Sequence, residues 1–394
     1  MVVNMVGGAF LQALFVSLLL SVTEATVPVK TKTIINVGGS GTYDEVVGMP
    51  CGGGGSGACM KRSKWVDSCL APFDEEQTLK FRGPMNVKDI AVYYPSGGSW
   101  NRVSSFTQNG GQENMAFMGN YGRSMDGHNV DEEMCYAGPG EQAKFVTNGD
   151  DFSCHGFNLT YASADGKCAR KAPEGFNGVL GDNVEVAIMQ DSKCQGAACG
   201  FYRGVAHHGW AGVNGGAKMF AVKVSYPHGD VFDSPALWFL HASVVRTASY
   251  HHDLCNCRGV GYSGGCGELD VAEIVTEKNT KMEVETSVYS YKGAISDGGG
   301  YRFERPMQDV VYVTIFNPDG YIQIVELDDF EFGNSVSDTR VQEWNGRRDL
   351  ILSMPGPVRQ DCKAPRCSFP PFNEGFAARM ERGVHCEEPN LNHY

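Results

Sequence analysis

Beyond its first 25 residues the sequence has no apolar run approaching the roughly 20 residues that a membrane-spanning helix requires, so no transmembrane span is expected. Basic residues are in the minority: 33 Lys and Arg stand against 46 Asp and Glu, for a net charge of -13. That balance argues against a nucleic-acid partner, because phosphate backbones are held by clustered cations. Long helical periodicities are scarce. A zinc site is disfavoured where it could be imagined: Cys255 and Cys257, near His251, His252, Asp253 and Cys266, have the spacing Cys-x-Cys, which is not the usual zinc pattern, and disulfides are favoured outside the cell. No metal and no cofactor are expected.

What the sequence has is 50 Gly, 11% aromatics and 14 Cys. Residues 1–25 read as a signal peptide, with an apolar stretch at 9–20 and small residues at the two positions inspected for cleavage. The tail 387–394 is polar and carries no lipid-anchor signal, so a secreted, extracellular or cell-wall protein without a membrane span is expected, as a monomer. In that setting the cysteines are best explained as disulfides whose pairing stays open. Asn158, followed by Leu159 and Thr160, is a glycosylation sequon.

Composition divides the chain further. Residues 26–92 form a glycine- and cysteine-rich module holding Cys51, Cys59 and Cys69, whose low apolar content suits a small disulfide-held unit. Residues 93–360 carry short β-prone runs broken by Gly, Pro, Asn and Ser, the texture of an all-β sandwich or barrel. Residues 361–394 form a tail with Cys362, Cys367 and Cys386, expected to wrap back onto the body. Strands are predicted at 184–190, 218–225, 236–241, 269–275 and 283–291, and a hairpin at 310–327. The hairpin turns at Asn317, Pro318, Asp319 and Gly320, where Pro fixes φ and Gly supplies a positive one.

One predicted strand stands apart. At 267–274 three carboxylates, Glu268, Asp270 and Glu273, interrupt an apolar run. Period-2 alternation puts Glu268 and Asp270 on one face with Leu269 and Val271 on the other, and leaves Glu273 out of phase. One inserted residue, a β-bulge near Val271 and Ala272, would bring all three acids to one cleft. The two Glu Cα atoms would then sit roughly 13 Å apart. Their carboxylates could lean to about 5 Å, the spacing for one to attack an anomeric carbon while the other protonates the leaving oxygen. A solvent-facing strand with ordinary acids is the alternative, against which the intervening apolar residues argue.

Neighbouring motifs are less specific. Gly259, Gly261 and Gly264 match a dinucleotide fingerprint, yet they precede a strand and no helix follows, so a glycine-rich loop into the acidic strand is the better use. His207 and His208 suit surface or packing roles. Trp238 and Trp210 could stack on sugar rings, although Trp238 sits in an apolar run and could equally be core. Tyr289 and His241 are further candidates for contacting a substrate, and Tyr250, Tyr262 and Tyr291 are weaker ones.

The runs 218–223, 234–240 and 267–273 follow in the order and rough spacing of the core of glycoside hydrolase family 16, a jelly-roll (concanavalin-like) sandwich. More closely, the chain resembles the target-of-SBF-like proteins of fungal cell walls, which join a glycine-rich N-terminal domain to a family 16-like domain. The stretches 72–84, 91–95 and 257–273 carry that likeness, which spans most of residues 41–356. The resemblance implies that Glu268 is a nucleophile, Asp270 its helper and Glu273 the acid/base of a retaining glycoside hydrolase. It implies β-glucan as the substrate and an endo-β-1,3-glucanase as the activity, with a glucan transglycosylase or a non-catalytic β-glucan-binding wall protein as alternatives. Two departures bear on the cleft: Ser234 stands where many family 16 enzymes have Trp, and the loop 250–265 is long and carries cysteines.

Overall fold

The computed structural model describes residues 30–48, 60–119, 160–166, 175–192, 207–246, 256–258, 264–275, 281–297, 302–345, 350–363, 366–368 and 385–387. The β-prone runs pair as strands. β1 (Lys30–Ile35) comes first, followed by a two-stranded ribbon of β2 (Gly39–Gly48) and β3 (Met60–Ser68). Next come β4 (Gln77–Arg82), β5 (Met85–Ser96), β6 (Ser99–Thr107), β7 (Gly111–Glu113), β8 (Ala116–Gly119), β9 (Thr160–Tyr161), β10 (Val179–Leu180) and β11 (Glu185–Met189). β12 (Lys218–Ser225) and β13 (Ala236–His241) lead into a one-turn helix, α1 (Ala242–Arg246). After β14 (Glu268–Glu273) come β15 (Glu283–Ser290), β16 (Gly293–Ser296), β17 (Phe303–Glu304) and the predicted hairpin, β18 (Val310–Asn317) with β19 (Tyr321–Leu327). β20 (Ser335–Ser337), α2 (Asp338–Asn345) and β21 (Leu350–Ser353) follow, and then β22 (Arg366–Ser368) and β23 (His385–Glu387), which pair with each other.

Two large sheets result, the expected all-β sandwich. One runs β20-β6-β5-β12-β18-β19-β1-β21, with β10 and β7 appended, and the other runs β16-β15-β14-β13-β4-β11-β8-β9, with β17 appended. Alternation along the strands decides what each face meets. Leu79 and Phe81 of β4 and Leu237 and Phe239 of β13 enter the space between the sheets, where Phe220, Phe316, Ile322 and Ile324 face them. Phe239 lies edge-on to Phe220 and Phe316, with ring centroids 4.7 and 5.1 Å away. The intervening Ala236, Trp238 and Leu240 turn to the opposite face, in a second apolar cluster with Ala187, Met189 and the ribbon residues Tyr43 and Val66. The outer face of the first sheet is covered through Val341 and Trp344 of α2.

Chain order and spatial order diverge at the N-terminus. β1 is an inner strand, antiparallel to β19 and parallel to β21. β4 lies between β13 and β11. The expected module boundary between residues 92 and 93 falls inside β5, and among the described residues of 26–92 the ribbon stands off the two large sheets. The run 77–92 carries alternating apolar residues that the sandwich core absorbs, and 30–35 adds Ile34.

The tail is fastened to the body by a disulfide between Cys69 and Cys362, 293 positions apart, and a second joins Cys257 and Cys266. Residues 1–25, Cys51, Cys59, Asn158, Tyr250, Tyr262 and the 251–253 cluster lie outside the described residues. Because the Cys69–Cys362 link closes so long a loop, it removes much unfolded-state entropy. The paired substitution Cys69→Ser with Cys362→Ser is expected to lower stability by about 2–4 kcal/mol, read from the shift of the denaturant midpoint under non-reducing conditions.

Candidate active site

Gly267, at a φ of +100°, turns the chain into β14 where a Cβ would meet Pro72 and Phe73 at 3.0 and 3.2 Å, a position only glycine fills without strain. Within β14 the ladder slips. Trp238 faces Asp270 and Leu237 faces Ala272, so Val271 is one residue too many against β13. The ladder to β15 slips likewise, from the Asp270–Ser287 pair to the Glu273–Glu285 pair. This is the β-bulge that the spacing of the acids predicts. Leu269, Val271 and Ala272 all join the core between the sheets, the two adjacent residues on one side being the mark of the extra position. Glu268, Asp270 and Glu273 are left on the face of Trp238 and Leu240, their ladder partners on β13 being Leu240, Trp238 and Ala236.

A bulge removes ladder bonds, and core side chains replace them. The buried Tyr226 hydroxyl donates to the Ala272 carbonyl at 3.0 Å, and Thr286 Oγ1 donates to the Val271 carbonyl at 2.7 Å. Thr286 is itself held by Lys32 Nζ of β1 at 2.9 Å, and its backbone N–H donates to Asp297 Oδ2 at 3.1 Å. Lys32 pairs with Asp297 at 2.6 Å, which supplies the countercharge a buried ammonium needs.

On the cleft side each Glu meets an arginine. Arg258, one residue after the disulfide-bonded Cys257, donates through Nε to Glu268 Oε2. Arg82 of β4 donates from Nη2 to Glu273 Oε1 at 2.8 Å and from Nε to the Ser234 carbonyl at 2.6 Å. Lys80, on the same face of β4, pairs with Glu185 at 3.2 Å. Asp270, 5% exposed, lies between the two Glu positions on the strand. Burial pushes its carboxyl well above the usual range, and the negative charges of Glu268 and Glu273 push it the same way, against Arg258 and Arg82. Burial also raises Glu273; Arg82 opposes this, while Glu268 and Glu285 reinforce it. The arrangement can therefore keep a proton beside an arginine-paired carboxylate, which suits acid/base chemistry coupled to nucleophilic attack.

The remaining candidates divide. Tyr289 is half-buried opposite Glu268, with the Arg258 guanidinium 4.7 Å from its ring centroid, so it borders the acids. Trp238 is on the acid-bearing face but only 4% exposed, with Lys80 Nζ 5.2 Å from its ring centroid, so it forms floor beneath the cations. Trp210 is a correction: fully buried in the sandwich core, it donates from Nε1 to Ser104 Oγ at 3.0 Å and has no face to offer a sugar. His241 is a second correction. It is 5% exposed, and its Nε2 is engaged at 3.0 Å with Glu75. Glu75 also accepts from Tyr43 and Lys64 of the ribbon; burial opposes its charge, but His241 and Lys64 overcome this and draw its pKa down to about 2. Among the described cysteines near this site, Cys257 and Cys266 form a disulfide, so with His241 they offer no thiolate to a metal. Sequence reasoning missed Arg82 and Arg258. Alternation on β4 could have flagged Arg82 as facing away from Leu79 and Phe81.

Because the folded state raises the Asp270 pKa above its unfolded value, the folded protein holds a proton there that the unfolded chain has released. The stability tied to this group is present below the unfolded carboxylate range, near pH 4, and is lost as pH rises through the folded value. Asp270→Asn should therefore raise stability at neutral pH and flatten its decline above pH 4, measured by denaturation across pH; an unchanged profile would contradict the assignment of the strain to Asp270.

The family described as "Cell wall protein YJL171C/Tos1, C-terminal" matches residues 140–344, and its N-terminal counterpart matches residues 33–95. The N-terminal match thus covers the second half of β1, all of β4 and most of β5, strands that belong to the two large sheets. A protein of Arthroderma benhamiae named "Probable circularly permuted 1,3-beta-glucanase" is 31% identical over 258 residues, 62% of this chain and 50% of that one. Candida albicans PGA52, under the same descriptive name, is 28% identical over 310 residues, 72% of each chain. Saccharomyces cerevisiae TOS1, again so named, is 30% identical over 271 residues, 66% of this chain and 52% of that one. The chain thus spans about half the length of the first and third of these relatives. No solved structure matches it. With more than half of its residues under the C-terminal match and the N-terminal match alongside, the chain belongs to the YJL171C/Tos1 family of cell wall proteins.

Proposed function

We propose that the chain is a secreted, retaining glycoside hydrolase that cleaves β-1,3-glucan internally during cell-wall remodelling. One observation carries this reading: a one-residue bulge that sets Glu268, Asp270 and Glu273 on the same face, with protons favoured on Asp270 and Glu273. The names of the relatives support the choice of glucan. Binding a neutral polymer would not require three acids to be crowded at the electrostatic disadvantage seen for Asp270.

In the first step a Glu268 carboxylate oxygen attacks the anomeric carbon while Glu273 donates its proton to the departing glycosidic oxygen, leaving a glycosyl ester on Glu268. Arg82 then stabilises the carboxylate that Glu273 has become. Esterification removes the charge of Glu268, which lets Glu273 take a proton from water as that water attacks the anomeric carbon and frees Glu268. Asp270 shares a proton with Glu268 and orients it. A sugar hydroxyl in place of water would make the same site a transglycosylase. Arg258 has a matching role on the nucleophile: its hydrogen bond to Oε2 orients the Glu268 carboxylate.

The same arginines favour a second reading, a glucan-binding wall protein without turnover, in which the two ion pairs stay closed. Product analysis separates the two. Glu273→Gln is expected to lower turnover of β-1,3-glucan oligosaccharides by about 10²–10⁴-fold, Glu268→Gln to prevent the glycosyl-enzyme from forming, and the first-formed product to retain the β-anomer by NMR. An inverted product would end the double-displacement mechanism, and wild-type protein that binds glucan yet releases no product from β-1,3, β-1,4 or β-1,6 oligosaccharides would establish the second reading.

Arg82 gives a prediction in pH. It opposes the upward shift of Glu273, so Arg82→Gln should raise the Glu273 pKa further. The alkaline limb of the kcat/KM profile, where the acid loses its proton, should move to higher pH; a limb that moved down or stayed in place would remove Glu273 as the acid.

A further inference from the structure

The described aromatic side chains are buried or half-buried, with one exception: Trp65 of β3 is 64% exposed. Its setting on the ribbon is regular. Directly paired residues share a face, so Ser40 with Asp67, Thr42 with Trp65 and Asp44 with Ser63 lie in a row on one side. Gly41 with Val66 and Tyr43 with Lys64 lie on the other. The second side is the attached one. Tyr43 and Val66 are buried in the apolar cluster that holds Trp238 and Leu240, Tyr43 and Lys64 bond to Glu75, and a Cβ on Gly41 would come within 2.2 Å of the Tyr291 ring, whose hydroxyl donates to the Gly39 carbonyl. The ribbon is thus clamped onto the carboxylate-bearing sheet, and the Trp65 row faces away from that attachment.

We infer that this outer row is a second glycan-binding site, separate from the carboxylates, with the Trp65 indole as the platform for one pyranose ring of a neutral β-linked glucan. An aromatic face covers the apolar C–H face of a sugar whose hydroxyls are equatorial. Those hydroxyls then point outward in the ring plane and need partners on both sides of the indole. Positions two residues along a strand are about 7 Å away, and on each side of Trp65 such a position holds a hydroxyl paired with a carboxylate. On one side Ser40 Oγ bonds Asp67 Oδ1 at 2.5 Å, and Arg359 Nη1 reaches the same oxygen at 2.5 Å, so donors and acceptors are fixed in place. On the other side stand Asp44 and Ser63, with Thr42 across from the ring. Acids on both flanks disfavour an anionic polymer. An apolar protein partner would strip water from the carboxylates of Asp44 and Asp67, at a cost that a sugar's hydroxyls avoid.

The choice of glucan rests on the reading of the cleft, and the test keeps the two apart. Full-length wild type, Trp65→Ala, Trp65→Phe and Glu273→Gln would be sedimented with insoluble β-1,3-glucan and with cellulose, and turnover would be followed on a short soluble β-1,3-oligosaccharide. Trp65→Ala should weaken sedimentation with β-1,3-glucan by about tenfold, Trp65→Phe by less, and Glu273→Gln not at all, with soluble turnover unchanged in both Trp65 variants. Trp65→Ala that sediments like wild type overturns the inference even if oligosaccharides are cleaved. Loss of glucan binding in a protein that cleaves nothing supports the site while the hydrolase reading falls. If Trp65→Ala instead converts a wild-type dimer to a monomer in analytical ultracentrifugation, the indole covers a second copy of the chain and the glycan assignment is overturned.

Discussion

Two hydrogen bonds from inside the core, Tyr226 to the Ala272 carbonyl and Thr286 to the Val271 carbonyl, hold the bulge that turns Glu273 to the side of Glu268 and Asp270. A bulge without them would leave carbonyls buried and unpaired, at about 1–3 kcal/mol each, and a regular strand would be the better solution. That regular strand would send Glu273 into the hydrophobic space between the sheets. Thr286 is fixed in turn by Lys32 and Asp297, so the orientation of a strand near residue 270 traces back to a lysine on the first strand of the sandwich. A buried ammonium is costly, and its use here fits a role in fixing position rather than in adding stability.

The cleft side repeats the principle with charges. Three carboxylates on one short strand repel one another, and arginines from two distant segments make the cluster tolerable without neutralising it. Arg82 arrives from β4, a strand inserted between β13 and β11, and Arg258 arrives on a loop cross-linked by Cys257 and Cys266. The two acids are thereby put in unequal surroundings: Glu268 is nearly enclosed, whereas Glu273 keeps about a quarter of its side chain open.

The sequence made the acids and the bulge legible because strand periodicity is strict. Positions 268 and 273 are an odd number apart, and only an inserted residue brings them to one face. The hairpin at 310–327 was legible through its Pro-Asp-Gly turn. Trp210 and His241 were not, since composition names side chains that could stack or bond but not the layer they enter. Trp210 ends in the core and His241 is taken by Glu75. The pairing of β4 and β5 was not legible for a related reason: glycine and cysteine mark the ribbon and its surroundings, while membership of β4 and β5 in the sandwich depends on pairings more than a hundred residues away.

The place of β1 has a consequence in time. An inner strand made of residues 30–35 finds its neighbours only at 321–327 and 350–353. Lys32 therefore waits, unpaired with Thr286 and Asp297, until nearly the whole chain has emerged. Contacts of such long sequence separation form late and slowly. A chain truncated before residue 321 would carry the full acidic stretch yet lack the strands that hold β1, and with it Lys32, in place.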